Sequence, residues 1–99
     1  MSLSTYNFNL NANFTPQNLT GTNAFTTATF YGFSGYNLST NTPLFNSGTV
    51  WLGYASGKSV ISIATGQSYT VNLFSSAGVS LSNYWINGGL GDGVFVVTQ

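Results

Sequence analysis

Nine consecutive residues near the N-terminus, Tyr6-Asn7-Phe8-Asn9-Leu10-Asn11-Ala12-Asn13-Phe14, alternate apolar side chains with asparagine and never slip. A period of two is useless to a helix, whose apolar face repeats every three to four residues, but in a strand it collects every apolar side chain on one face. The segment therefore predicts a strand with Tyr6, Phe8, Leu10, Ala12 and Phe14 turned one way and an asparagine ladder turned the other.

The remainder of the chain has the same grammar with more punctuation. Pro16 and the stretch 18–23, with Gly21, predict a turn, and the Thr- and aromatic-rich run 24–33 predicts a second strand with an irregularity at Gly32. Residues 34–48 hold Gly35, Asn37, Asn41, Pro43 and Asn46 and are read as a long loop with at most a short edge strand. From Thr49 onward strands at 49–55, 58–63, 68–74, 81–86 and 94–98 are separated by Ser56-Gly57, by 64–67, by 75–80 and by a glycine-rich loop at 87–93. No segment repeats at i, i+3, i+4. Short strands at this spacing predict an all-β fold, a single small antiparallel β-sandwich or jelly-roll-like barrel over residues 1–99. Its N-terminal part, 1–48, supplies strands and the long loop, and 49–99 a regular β-meander. Asn, Ser, Gly and aromatic enrichment is also the composition of prion-like disorder, but confinement of Gly, Pro and Asn mainly to the gaps between alternating runs argues for folded strands.

Composition matters most for what it excludes. The chain has one Lys, one Asp and no Arg, Glu, His or Cys, against 13 Ser, 13 Thr, 12 Asn and 16 aromatic residues. Charged residues make up 2%, where about a quarter is ordinary for soluble chains. General acid–base catalysis needs a titratable pair, and Asp92 and Lys58 are the only carboxylate and amine side chains on offer. The Ser and Thr hydroxyls have no base to activate them. Metal sites draw several ligands from Cys, His and carboxylates, disulfides need Cys, and nucleic-acid affinity comes from neutralising phosphates with Lys and Arg. The chain is accordingly expected to be no enzyme, to hold no cofactor or metal, and to bind no nucleic acid. No basic, apolar-cored leader opens the sequence, and runs such as Val94-Phe95-Val96-Val97 are far too short to span a bilayer, so neither a signal peptide nor a membrane is expected.

A neutral, aromatic-rich surface suits burial against other protein, because Asn, Thr, Ser and Tyr can enter an interface without stripping water from ions. The expectation is a homo-oligomer or multi-copy assembly, with Tyr6, Phe8 and Phe14 as first anchors and Phe30, Tyr31, Phe33 and Tyr36 as second. Each of these also suits a core. Trp51 and Trp85, with Tyr54, Tyr84, Asn83 and Asn87 nearby in sequence, suggest a glycan-stacking platform, but a Trp inside a strand pattern more commonly fills a core, and the core is the favoured expectation for both. Three Asn-x-Ser/Thr matches, at Asn13, Asn18 and Asn37, are what chance gives at this composition. Gly91-Asp92-Gly93 has a fragment of a calcium loop but far too few oxygens, and is read as a turn before the last strand.

The order Val50-Trp51-Leu52-Gly53, Ile61 to Val71, Leu81-Ser82-Asn83-Tyr84-Trp85-Ile86 and Gly91-Asp92-Gly93-Val94-Phe95-Val96-Val97 resembles a pattern found in small structural proteins of tailed bacteriophages, β-rich virion components that include head decoration or cement proteins. The resemblance spans residues 50–97; it departs at Gln67, where that pattern often has an acidic residue, and in its scarcity of charge. It implies a capsid-surface protein made in the host cytoplasm, with the major capsid protein and copies of itself as partners. Two rival expectations are a carbohydrate- or receptor-binding module of a phage fibre and a self-assembling fibre subunit.

Overall fold

A computed structural model describes residues 3–21, 24–37, 39–54, 58, 60–72 and 79–99. Its strands are β1 (Ser4–Asn9), β2 (Gln17–Asn18), β3 (Ala24–Phe25), β4 (Thr27–Tyr31), β5 (Phe33–Asn37), β6 (Thr42–Phe45), β7 (Val50–Gly53), β8 (Ile61–Ile63), β9 (Ser68–Asn72), β10 (Val79–Ser80), β11 (Trp85–Asn87) and β12 (Gly93–Thr98), with one 3-10 turn at Leu81–Asn83. The fold is all-β and every strand pair is antiparallel.

Two four-stranded sheets, β1-β12-β4-β9 and β2-β11-β7-β8, carry the core. Period-two patterning decides what each contributes. In the first sheet Val94 and Val96 of β12, Ala28 and Phe30 of β4 and Val71 of β9 point inward; in the second Val50 and Leu52 of β7, Ile63 of β8 and Ile86 of β11 do so. Leu10, Leu19, Phe25, Leu81 and Tyr84 complete the same cluster, with Tyr6, Phe8 and Ile61 packed at its margin. The arrangement is a sandwich with open sheet edges rather than a closed barrel. A two-stranded ribbon of β3 and β10 and a hairpin of β5 and β6 accompany the sheets.

Several sequence expectations change. The run 24–33 is split at Thr26 into β3, which pairs with β10 at Val79–Ser80 inside the expected 75–80 loop, and β4, which joins the first sheet. The first strand stops at Asn9, not Phe14: Leu10 still donates to Asp92 O at 2.7 Å, but the Gln17 amide then bridges Asn9 O and Asn11 N, both at 3.0 Å, and folds the chain back. The expected loop at 34–48 contains the β5–β6 hairpin, which begins right after Gly32, where the chain leaves the first sheet; a bulge between Phe33 and Gly35 lets it turn. The expected strand at 81–86 begins as the 3-10 turn and becomes extended only at Trp85. The second half is not a meander: among the described residues β7–β8 is its one consecutive pair, whereas β9 joins β4, and β12 lies between β1 and β4. The expected Ser56-Gly57 turn and most of the 75–80 loop lie outside the described residues.

Candidate functional site

Strand β12 is apolar on both faces, and that doubleness builds the most aromatic feature of the molecule. Val94 and Val96 face the core; Phe95 and Val97, alternating with them, face the other way. Register places Asn7 and Tyr31 on either side of Phe95. The β5–β6 hairpin covers this outer surface as a third layer. Phe33 is its hub: the ring stacks on Tyr31 at 5.2 Å and meets Phe45 at 5.6 Å, Tyr36 at 6.3 Å and Phe95 at 6.5 Å, while Tyr36 stacks on Phe95 at 5.3 Å. The Tyr36 hydroxyl donates to Asn41 Oδ1 at 2.7 Å, across the hairpin turn, and the Asn9 amide donates to Ser34 O at 2.6 Å, tying the hairpin to β1.

Two open hollows flank the Tyr36–Phe95 stack. One, of about 490 Å³, runs along β1 between Thr5, Tyr6, Asn7, Gly35 and Leu44; the other, of about 410 Å³, is framed by Tyr31, Phe33, Pro43 and Val97. Neither holds a charged group. Their chemistry is apolar contact with neutral hydrogen bonding.

A second aromatic surface lies on the far side of the molecule's core. Leu52 and Ile86 are opposed in register and buried, so their neighbours Trp51 and Trp85 turn outward together, with Asn87 beside them, half-buried, its Oδ1 enclosed and without a hydrogen-bond partner among the described residues. Trp85 stands opposite Gly53 on one side and Asn18 on the other, and Trp51 opposite Asn87 and Ser62. Trp51 is 40% exposed and Trp85 half-buried, which corrects the reading of both as core: a strand whose inward positions are filled by Leu52 and Ile86 has only its outer face left for them. The Asn18 amide is committed to Ser82 O and Tyr84 O at 2.9 and 3.0 Å.

No protein-family model, no curated protein and no solved structure matches the chain.

The expected anchors divide four ways. Tyr31, Phe33 and Tyr36 join in the outer aromatic layer. Tyr6 and Phe8 stack on each other at 6.1 Å at the open margin of the core, half-buried. Phe30 is fully enclosed and presents no surface, because its place in the central strand β4, opposite Val96, points it inward. Phe14 is 71% exposed, beyond the end of β1, with a left-handed φ of 48°, so it does not share the face of Tyr6 and Phe8. Sequence reasoning passed over Phe45 and Phe95. The signal for Phe95 was present: a final strand apolar at every position from Val94 to Val97 is a strand covered on both faces.

Of the two charged side chains, Lys58 is exposed and Asp92 buried. The Asp92 carboxylate accepts from Ser47 N at 2.9 Å, Ser47 Oγ at 3.0 Å and Gly48 N at 3.1 Å. Beside it the Asn46 side chain imitates a strand, accepting from Gly93 N at 2.9 Å and donating to Gly93 O at 2.8 Å. Both residues hold the 46–48 segment onto the start of β12, in the turn that the sequence predicts there.

Proposed function

We propose that this chain is a non-enzymatic structural subunit that works by packing in many copies, and that its setting is the virion of a tailed bacteriophage, where it decorates the head by binding the major capsid protein. The observation that carries the packing role is the combination of a nearly charge-free surface with large exposed apolar side chains, among them Leu3, Phe14, Leu44, Phe45, Val60 and Leu90, each more than half exposed. An isolated, concentrated protein gains nothing from such a surface, since charge repulsion is what ordinarily keeps copies apart. In an assembly the same side chains become buried area. The virion setting rests on the resemblance of residues 50–97 to small phage structural proteins. Binding of purified protein to expanded, undecorated capsids, followed by co-sedimentation, tests it: saturable multi-copy binding is expected, and its absence would overturn the head assignment.

One observation favours a second reading. Trp51 and Trp85 share one outward face bordered by Asn and Ser, the arrangement a sugar ring stacks on. A saturable change in tryptophan fluorescence on glycan titration, with no capsid binding, would favour a carbohydrate-binding module of a phage fibre.

A further inference from the structure

We propose that two copies of this chain join through the free edge of β1, antiparallel about a two-fold axis at Tyr6, so that their first sheets become one eight-stranded sheet. This deepens the multi-copy reading by naming the contact and its partner, a second copy.

Alternation of the ladder fixes which groups of β1 are free. Leu10 donates to Asp92 O in the same register that pairs Ser4 with Thr98 and Phe8 with Val94, so the even-numbered residues of β1 turn their N–H and C=O toward β12. The odd-numbered ones, Thr5, Asn7 and Asn9, turn theirs outward. Among the described residues the outward Asn9 O is taken by the Gln17 amide, and β12 is the strand that pairs with β1, leaving Thr5 and Asn7 along an open edge.

Natural sheets blunt such an edge with Lys, Pro, a bulge or a covering loop. Here Ser4–Asn9 has no charge, no Pro and an unbroken register, and the hairpin is tied to β1 through the Asn9 side chain and Ser34 O, with no bond among the described residues to the outward backbone groups of Thr5 and Asn7. The stacked Tyr6 and Phe8 rings are also left half-buried at this margin of the core.

A two-fold axis perpendicular to the sheet keeps the core face of both copies on one side, so even residues must oppose even ones. Hydrogen bonding must use the outward odd residues. Centring the axis on Tyr6 meets both demands: Thr5 and Asn7 of the second copy form a hydrogen-bonded pair, repeated by symmetry, and Tyr6 opposes Tyr6 of the second copy in the close, non-hydrogen-bonded position. Ser4 opposes Phe8 of the second copy, so each Phe8 gains cover. An uncharged strand meets its own copy without like-charge repulsion, which is why a second copy is a suitable occupant.

Sedimentation equilibrium of the full chain is expected to show a dimer. Thr5→Lys with Asn7→Lys places like charges directly opposite each other and is expected to weaken it by about tenfold or more. Thr5→Asp with Asn7→Lys makes those same pairs opposite in charge, keeps a donor beside Ser34 O, and is expected to restore it. Amide exchange of the wild type gives a readout free of substitutions: Thr5 and Asn7 amides should be protected at high protein concentration and exchange freely on dilution. A wild type that stays monomeric with concentration-independent exchange overturns the proposal. So does association that ignores the double-lysine variant, which would move the contact to another surface such as the β9 edge. Neither result touches capsid binding, which is measured separately.

Discussion

Asp92 shows how a residue that looks chemical in a sequence becomes architectural in a fold. The chain's one carboxylate accepts from two backbone amides and a hydroxyl of the Ser47–Gly48 segment. Asp92→Ala leaves those donors without a partner in a half-buried place, and is expected to cost about 2 to 3 kcal/mol in urea unfolding, the scale of a charged hydrogen bond lost together with its donors' solvation. Asp92→Asn, which keeps an oxygen there, should cost less. Tyr84 is a second case. Burial, and then the nearby Tyr54 and Tyr69, raise its hydroxyl above the ordinary value of 10.0. The folded state therefore holds that proton more tightly than the unfolded chain does. Its contribution is complete below about pH 10 and is lost as pH rises from there through the folded-state value. Thermal melts are expected to show Tm falling above about pH 10, with a shallower fall in Tyr84→Phe. Neither role was readable from sequence, because Ser47 lies far from Asp92 along the chain, and so do Tyr54 and Tyr69 from Tyr84.

Among the elements, the β5–β6 hairpin is the longest that the sequence concealed. Pro43 and a scatter of Gly and Asn lowered its strand signal, yet Pro43 sits in β6, whose one partner in the structure is β5, the position a proline tolerates. The hairpin is held to the sheet by Phe33 on Tyr31 and Phe95 and by Tyr36 on Phe95. Phe33→Ala removes the hub of that layer, and with the ring only half-buried the expected cost is about 1 to 1.5 kcal/mol, half that of a fully buried side chain. The loss should be local: faster amide exchange across β5 and β6, with tryptophan fluorescence unchanged because Trp51 and Trp85 lie on the other sheet. Gly93 marks a similar dependence on neighbours. A Cβ there would run into the backbone of Phe8 and Asn9, so β1 can lie against the start of β12 only because this position has no side chain.

For the molecule as a whole, one Lys and one Asp leave little for ions to screen. Self-association and particle binding are expected to change less than about threefold between about 50 and 500 mM salt, measured by sedimentation, since the attraction comes from apolar area and neutral hydrogen bonds. A steep loss with salt would point to a charged surface on the partner as the determinant. The all-β class and the inward positions of most strands follow from the sequence alone, because period-two alternation is local: Val94 and Val96 point one way and Phe95 the other in whatever sheet β12 joins. Which strands become neighbours is not local. Only tertiary structure decided that β12 lies between β1 and β4, that a hairpin covers its outer face, that Phe30 turns into the core while Trp51 and Trp85 turn out of it, and that β1 is left as an edge. Each of those outcomes depends on which distant segment fills the space beside a strand, and no pattern within the strand itself records it.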